Sequence, residues 1–188
     1  METNPAPAET PARDLDQHLV HVRSSPRDAA PLELIVARPA PGEREILRKA
    51  VLDEVDGLVG DTWLARGSRS RPDGSANPAA QLTLMNTRVL SAIEPDRARW
   101  PLAGDQLYLD LDLSAENLPV GTRLTVGAAV LEVTDLPHTG CSVFSARFGA
   151  DALRWISTPA GRAMRMRGMY VRVVTSGTVR VGDIVRKA

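Results

Sequence analysis

Apolar and polar residues alternate through residues 106–113. Leu107, Leu109, Leu111 and Leu113 fall on one face, and Tyr108, Asp110 and Asp112 on the other. A period of two predicts a half-buried strand. Two hairpins are expected as well. One joins 122–126 to 129–134 across Gly127-Ala128, and the other joins 169–174 to 178–185 across Ser176-Gly177. Residues 19–22 and 32–38 read as further strands, the second stopped by Pro39 and Pro41. Over 43–55, Ile46, Leu47, Ala50, Val51 and Val55 recur at helical spacing behind Pro41-Gly42, which predicts a helix. Between the hairpins, 142–148 and 151–156 also read as helices. Gly60-Asp61, Gly104-Asp105 and Gly182-Asp183 each precede an apolar or alternating segment, as turns do. Many short strands with few helices predict a mostly-β fold, a closed or partly closed barrel with helical insertions. The two hairpins should share that barrel.

Composition narrows the setting. The 188 residues suffice for one domain with a real core. Residues 1–14, rich in Pro, Ala and polar side chains, are expected to be a disordered tail, leaving a single domain over 15–188. With 23 basic and 23 acidic residues, no net charge draws the chain to nucleic acid or a membrane surface. No apolar run approaches the roughly 18 residues of a membrane span. The first residues lack the basic and apolar regions of a secretory signal, and there is one cysteine, so a cytoplasmic location is expected. The long polar loop at 66–78 carries Arg66, Arg69 and Arg71, which either close over an anion or are simply solvated.

That one cysteine lies in Pro137-His138-Thr139-Gly140-Cys141, between a predicted strand and a predicted helix. A helix start favours thiolate over thiol, so Cys141 is either a reactive or ligating atom at a cleft or a small buried apolar side chain. His138 can stabilise a thiolate or relay a proton, or be a turn residue without a role. Thr139 and Gly140 shape the turn. Asn117 offers both faces of its amide to a ligand or to the Cys141 loop, or caps the turn before Pro119, while Glu116 can pair with an arginine. Arg162, Arg165 and Arg167 alternate with apolar residues; a guanidinium suits phosphate or carboxylate, but Arg162 and Arg165 read as a solvated face. Trp63, Trp100 and Trp155 are dispersed and form no stacking platform for bases.

In order along the chain, several motifs resemble the MOSC domain family, the module named after the C-terminal domain of molybdenum cofactor sulfurase. They are Gly57-Leu58-Val59-Gly60-Asp61, Glu116-Asn117-Leu118, Gly121-Thr122-Arg123-Leu124 with Gly127, Cys141, Arg167-Gly168, and Gly177-Thr178-Val179-Arg180-Val181-Gly182-Asp183. The His-Gly-Gly turn of many stand-alone members is replaced by Asn77-Pro78-Ala79-Ala80. The resemblance implies a MOSC-type β-barrel with a cysteine-centred site. Cys141 and His138 would be the reacting residues and Cys141 the metal ligand, with Glu116, Asn117, Thr139 and Arg167 binding the cofactor. It also implies molybdenum cofactor as a bound or transient ligand. The partner would be a sulfur-donor protein for a sulfur carrier, or an electron-donor protein for a reductase of N-hydroxylated compounds. A non-catalytic binding module is the remaining alternative. The family's association with pyridoxal phosphate is expected to belong to the desulfurase domain fused in larger members. Lys49 and Lys187 are the only lysines here and neither sits in a site motif, so a Schiff base is not expected.

Overall fold

The computed structural model describes residues 14–188, so the tail expected over 1–14 lies, Asp14 apart, outside the described residues. Its centre is a mixed seven-stranded barrel. The strands are β1 (Ala30–Ala37), β5 (Leu82–Asn86), β6 (Leu107–Leu109), β7 (Arg123–Val126), β8 (Ala129–Val133), β9 (Met169–Thr175) and β11 (Ile184–Lys187). They run in the order β11-β7-β8-β9-β5-β6-β1, and β1 pairs back to β11 at Ala30 with Val185 to close the ring. β2 (Glu45–Leu47) adds to β1 outside the ring. A small second sheet comprises β3 (Lys49–Asp53), β4 (Gly57–Leu58) and β10 (Gly177–Arg180), in the order β10-β3-β4.

The β7–β8 hairpin forms as expected, with Arg123 opposite Glu132 and Val126 opposite Ala129. β5 and β6 pair in parallel, which needs a long crossover between them. Helix α3 (Thr87–Ile93) and a 3-10 stretch, Arg97–Ala103, supply it. Asn86 ends β5 and starts α3, because its Oδ1 accepts from the backbone N–H groups of Arg88 and Val89.

Two cores result. Leu32, Leu84, Leu107, Leu109, Leu131 and Val171 fill the barrel. A second core lies between the outer faces of β1, β5 and β6, through Leu34, Val36, Met85 and Tyr108, and a layer of helices. That layer includes α1 (Leu19–Arg23), α3, α4 (Ser142–Phe148) and α5 (Ala150–Ile156). α2 (Trp63–Arg66) and α6 (Pro159–Ala163) complete the set. Among the described residues no helix is long and apolar enough to cross a membrane.

Four expectations are corrected. The helix over 43–55 is β2 and β3: Ala50 and Leu52 are buried, while Ile46, Val51 and Val55 face out. The strand at 19–22 is α1, which buries only Val22. The strand over 106–113 is regular only at β6, and Tyr108 is as buried as its leucine neighbours because it faces the second core. The hairpin over 169–185 does not form, since β9 pairs β8 and β5 while β10 leaves the barrel to pair β3. β7, β8, β9 and β11 nonetheless share the ring.

Candidate functional site

β8 ends at Val133, and the chain then runs irregularly to Cys141, the N-cap of α4. This turn packs tightly on α5. A Cβ on Gly140 would meet Leu153 Cδ1 at 2.3 Å and Ile156 Cδ1 at 3.1 Å, so a larger residue would have to push the ends of these α5 side chains aside. The turn separates two cavities, of about 410 and 560 Å³, and both are lined by His138 and Arg167.

The shared wall is built on a buried ion pair. Asp105, from the second Gly-Asp pair, is fully enclosed, and Arg167 Nη1 donates to its two carboxylate oxygens at 3.1 and 2.9 Å. Arg167 Nη2 donates to the carbonyl of Ala103 at 3.0 Å, and the guanidinium lies over the Phe144 ring. His138 Nδ1 is 3.8 Å from Asp105 Oδ1, beyond hydrogen-bond reach, and its ring packs on Tyr170 with centroids 4.5 Å apart. Two buried polar atoms of this wall, His138 Nδ1 and Arg167 Nε, have no hydrogen-bond partner. Burial raises the Asp105 carboxyl above its ordinary range against the pull of Arg167. Burial, reinforced by the Arg167 and Arg38 charges, holds the His138 imidazole well below its ordinary 6.5.

The depressed His138 value has a sign that can be measured. In the folded protein the imidazole is neutral, whereas the unfolded chain takes up a proton near pH 6.5. Its contribution to stability is therefore complete above that pH and is lost as pH falls toward the depressed folded value. In urea unfolding between pH 7.5 and pH 5, His138→Gln should lose less stability than the wild type. An equal loss in both would show that His138 does not titrate differently in the two states.

Gly168 holds the wall in register. Its φ is +92°, and a Cβ there would come within 2.4 Å of the Leu84 carbonyl oxygen and 3.4 Å of His138 Nδ1. Gly168→Ala should cost roughly 1–3 kcal/mol and disturb both Arg167 and His138. A melting temperature equal to that of the wild type would contradict this.

The larger cavity is rich in arginine. Arg38 is fixed there by the buried Asp61 of the first Gly-Asp pair, through Nε at 2.8 Å and Nη2 at 2.9 Å. Arg66 and Arg69 stand at the rim, and neither side chain makes a hydrogen bond or ion pair among the described residues. Partial burial and the neighbouring Arg38 charge lower the pKa of Arg66, as expected where cations gather around open space. Ser68, Asn77, Thr83, Gln106 and Tyr170 add further polar lining. The smaller cavity mixes apolar walls from Leu136, Ile156 and Met169 with Arg162 and Arg165.

Of the residues singled out from the sequence, His138, Thr139 and Arg167 line the smaller cavity, and His138 and Arg167 also line the larger. Cys141 is exposed, one residue beyond the lining residue Gly140, and is not itself a lining residue of either cavity. The expected convergence of Glu116 and Asn117 on the same pocket is not observed. Glu116 is exposed and pairs with Arg27. Asn117 is buried and committed to the chain itself: Nδ2 donates to the carbonyls of Arg27 and Asp112, and Oδ1 accepts from Lys187 Nζ at 2.8 Å. Among the described residues no group of three or more His, Cys, Asp or Glu side chains is placed to hold a metal ion. Asp105, Arg38 and Asp61 were not singled out as site residues. The available signal for the two aspartates is their Gly-Asp pairs, Gly60-Asp61 within a family motif and Gly104-Asp105 as a turn only, while Arg38 carries none.

No curated protein matches the sequence. Several solved structures share the fold. The YuaD protein from Bacillus subtilis aligns with a TM-score of 0.62 at 15% identity, over 84% of this chain and 94% of that one. YiiM from Escherichia coli aligns at 0.56 and 18% identity, over 85% and 69% of the two chains. YiiM from Geobacillus stearothermophilus aligns at 0.52 and 13% identity, over 86% and 73%. The family model described as MOSC domain matches residues 73–186, more than half of the chain, from the polar loop through the Cys141 turn to β11. The ordered motifs, the mixed barrel and this match agree, and the chain belongs to the MOSC domain family.

Proposed function

We propose that this protein binds molybdenum cofactor, with Cys141 as the thiolate that either ligates molybdenum or carries sulfur. The observation that carries the reading is the arginine-rich cavity, whose inner wall, His138 and Arg167, belongs to the same turn and motif series as Cys141. The residues present fit such a group. A phosphate-bearing pterin needs clustered guanidinium groups and polar hydrogen-bonding atoms, and Arg66 and Arg69 have none of their donors committed. His138 Nδ1 and Arg167 Nε, buried without partners, add polar atoms at the wall. A volume of about 560 Å³ suits a ligand of this size. When bound, the group would supply molybdenum redox chemistry.

Arg66 and Arg69, whose side chains have no counter-ion among the described residues, would hold the phosphate tail, while Arg38, neutralised by Asp61, would shape the wall beside them. Arg167 is neutralised by Asp105 and acts as a positioning residue for the wall. His138 stays neutral because burial and the nearby arginines disfavour its protonation, so it offers the wall a polar ring rather than a charge. The Cys141 sulfur, soft and exposed, would be reachable by a partner protein. As a sulfur carrier, it would attack the terminal sulfur of a donor's persulfide and expel the donor thiolate, with no oxidant required.

The test is the pterin recovered per chain from protein purified from a host that makes the cofactor, read by fluorescence after denaturation. Arg66→Ala/Arg69→Ala should reduce it about tenfold relative to wild type, the loss of roughly one charge-assisted phosphate contact. Unchanged pterin content would refute the assignment of that cavity.

A further inference from the structure

The smaller cavity has two cations that the cofactor reading does not use, the exposed Arg162 and the half-buried Arg165, and one carboxylate, the exposed Asp135, in its lining. Arg165 has φ +48°, in the left-handed region. It follows Met164, the C-cap of α6. Its N–H donates to the Arg162 carbonyl at 3.1 Å, and the Met166 N–H donates to the Gly161 carbonyl at 2.9 Å. These two bonds form a Schellman ending, whose left-handed position is ordinarily glycine. Arginine at that position carries a backbone cost that glycine would not.

The side chain is half-buried and points into a cavity. Nη1 donates to the Leu118 carbonyl at 2.7 Å, which fixes the guanidinium. Nε and Nη2 make no hydrogen bond, and no carboxylate pairs with it among the described residues. Burial alone lowers its pKa, with no neighbouring anion to offset it. Arg167, which lines the same cavity, already has Asp105 as counter-ion. Leu136, Ile156 and Met169 form an apolar wall around a volume of about 410 Å³.

A fixed, unpaired cation beside apolar walls recognises an anion with an apolar body. We propose that this cavity is a second ligand site that takes a small organic monocarboxylate, with Arg165 as its anion anchor. The site does not rest on the cofactor reading, because Arg165 and the apolar wall line only this cavity. His138 and Arg167 lie between the two, so the carboxylate would sit one side chain away from the contents of the larger cavity.

The test is titration of the full chain with benzoate, followed by ligand-observed NMR or calorimetry, with benzyl alcohol as the neutral control and inorganic phosphate as the probe of the larger cavity. Benzoate should bind saturably, and benzyl alcohol about tenfold more weakly or not at all. Arg165→Gly keeps the left-handed backbone and should weaken benzoate at least about tenfold. Arg165→Lys should restore part of the binding, and phosphate affinity should not change in either variant. Should Arg165→Gly fold poorly, Arg165→Asn, which also tolerates this backbone, serves in its place. Absence of saturable benzoate binding by the wild type, or equal binding by the glycine or asparagine variant, overturns the proposal. So does a loss of phosphate binding that tracks the loss of benzoate. A wild type that binds benzoate but not phosphate would instead count against the cofactor reading alone.

Discussion

Asp105→Ala should destabilise the protein by about 3–5 kcal/mol in urea unfolding, the cost of leaving a buried charge without its partner. Asp105 is fully enclosed and Arg167 is nine-tenths enclosed, with two hydrogen bonds between them. Removing the carboxylate strands a guanidinium between the Phe144 ring and the Ala103 carbonyl, with Nε already lacking a partner. Asp105→Asn keeps the shape and an acceptor oxygen but not the charge, and should fall between the wild type and Asp105→Ala. Combining Asp105→Asn with Arg167→Met removes both charges and should recover much of the loss, a non-additivity that a double-mutant cycle reads directly. A single-variant cost under about 1 kcal/mol would mean that the pair behaves as an exposed one, and the wall would need another support.

Cys141→Ser should abolish the chemistry and spare the fold. Cys141 is exposed and is the N-cap of α4, where its side chain makes no capping bond. Serine is a preferred N-cap residue, so stability should change by no more than about 1 kcal/mol, and in the favourable direction. One thiol per chain should react with a disulfide reagent in the native wild type and none in the variant, while bound molybdenum or labile sulfur disappears. Native protein that resists labelling until it is denatured would contradict the exposure on which this rests. A Cys141→Ser protein that keeps its metal or sulfur would move the chemistry elsewhere.

Local signals were legible in the sequence, and signals that depend on distant partners were not. The β7–β8 hairpin was readable because its alternation and its Gly127 turn lie within a dozen residues. β5 and β6 are buried on both faces; β5 accordingly carries no alternation, whereas the alternation around β6 makes Tyr108 look like the polar side of a strand although it belongs to the second core. The false helix at 43–55 arises from two short strands and the turn after them, whose outward Ile46, Val51 and Val55 fall in helical phase with inward Ala50. Arg167 stood out through the Arg-Gly start of its strand. Its partner Asp105 is 62 residues earlier and looked like punctuation. Asn117 lies in a family motif, yet its amide is spent on Arg27, Asp112 and Lys187, a tie that joins distant parts of the chain and that spacing alone does not reveal. Arg165 read as part of a solvated run, because a positive φ leaves no mark in composition.

The most direct measurement is the molybdenum and cyanide-labile sulfur content per chain of protein purified from a cofactor-competent host, beside Cys141→Ser prepared identically. The account predicts near-stoichiometric molybdenum if Cys141 ligates the metal, or labile sulfur without metal if it carries sulfur, and in either case none in the variant. Neither signal in the wild type, or equal signals in both proteins, would contradict it.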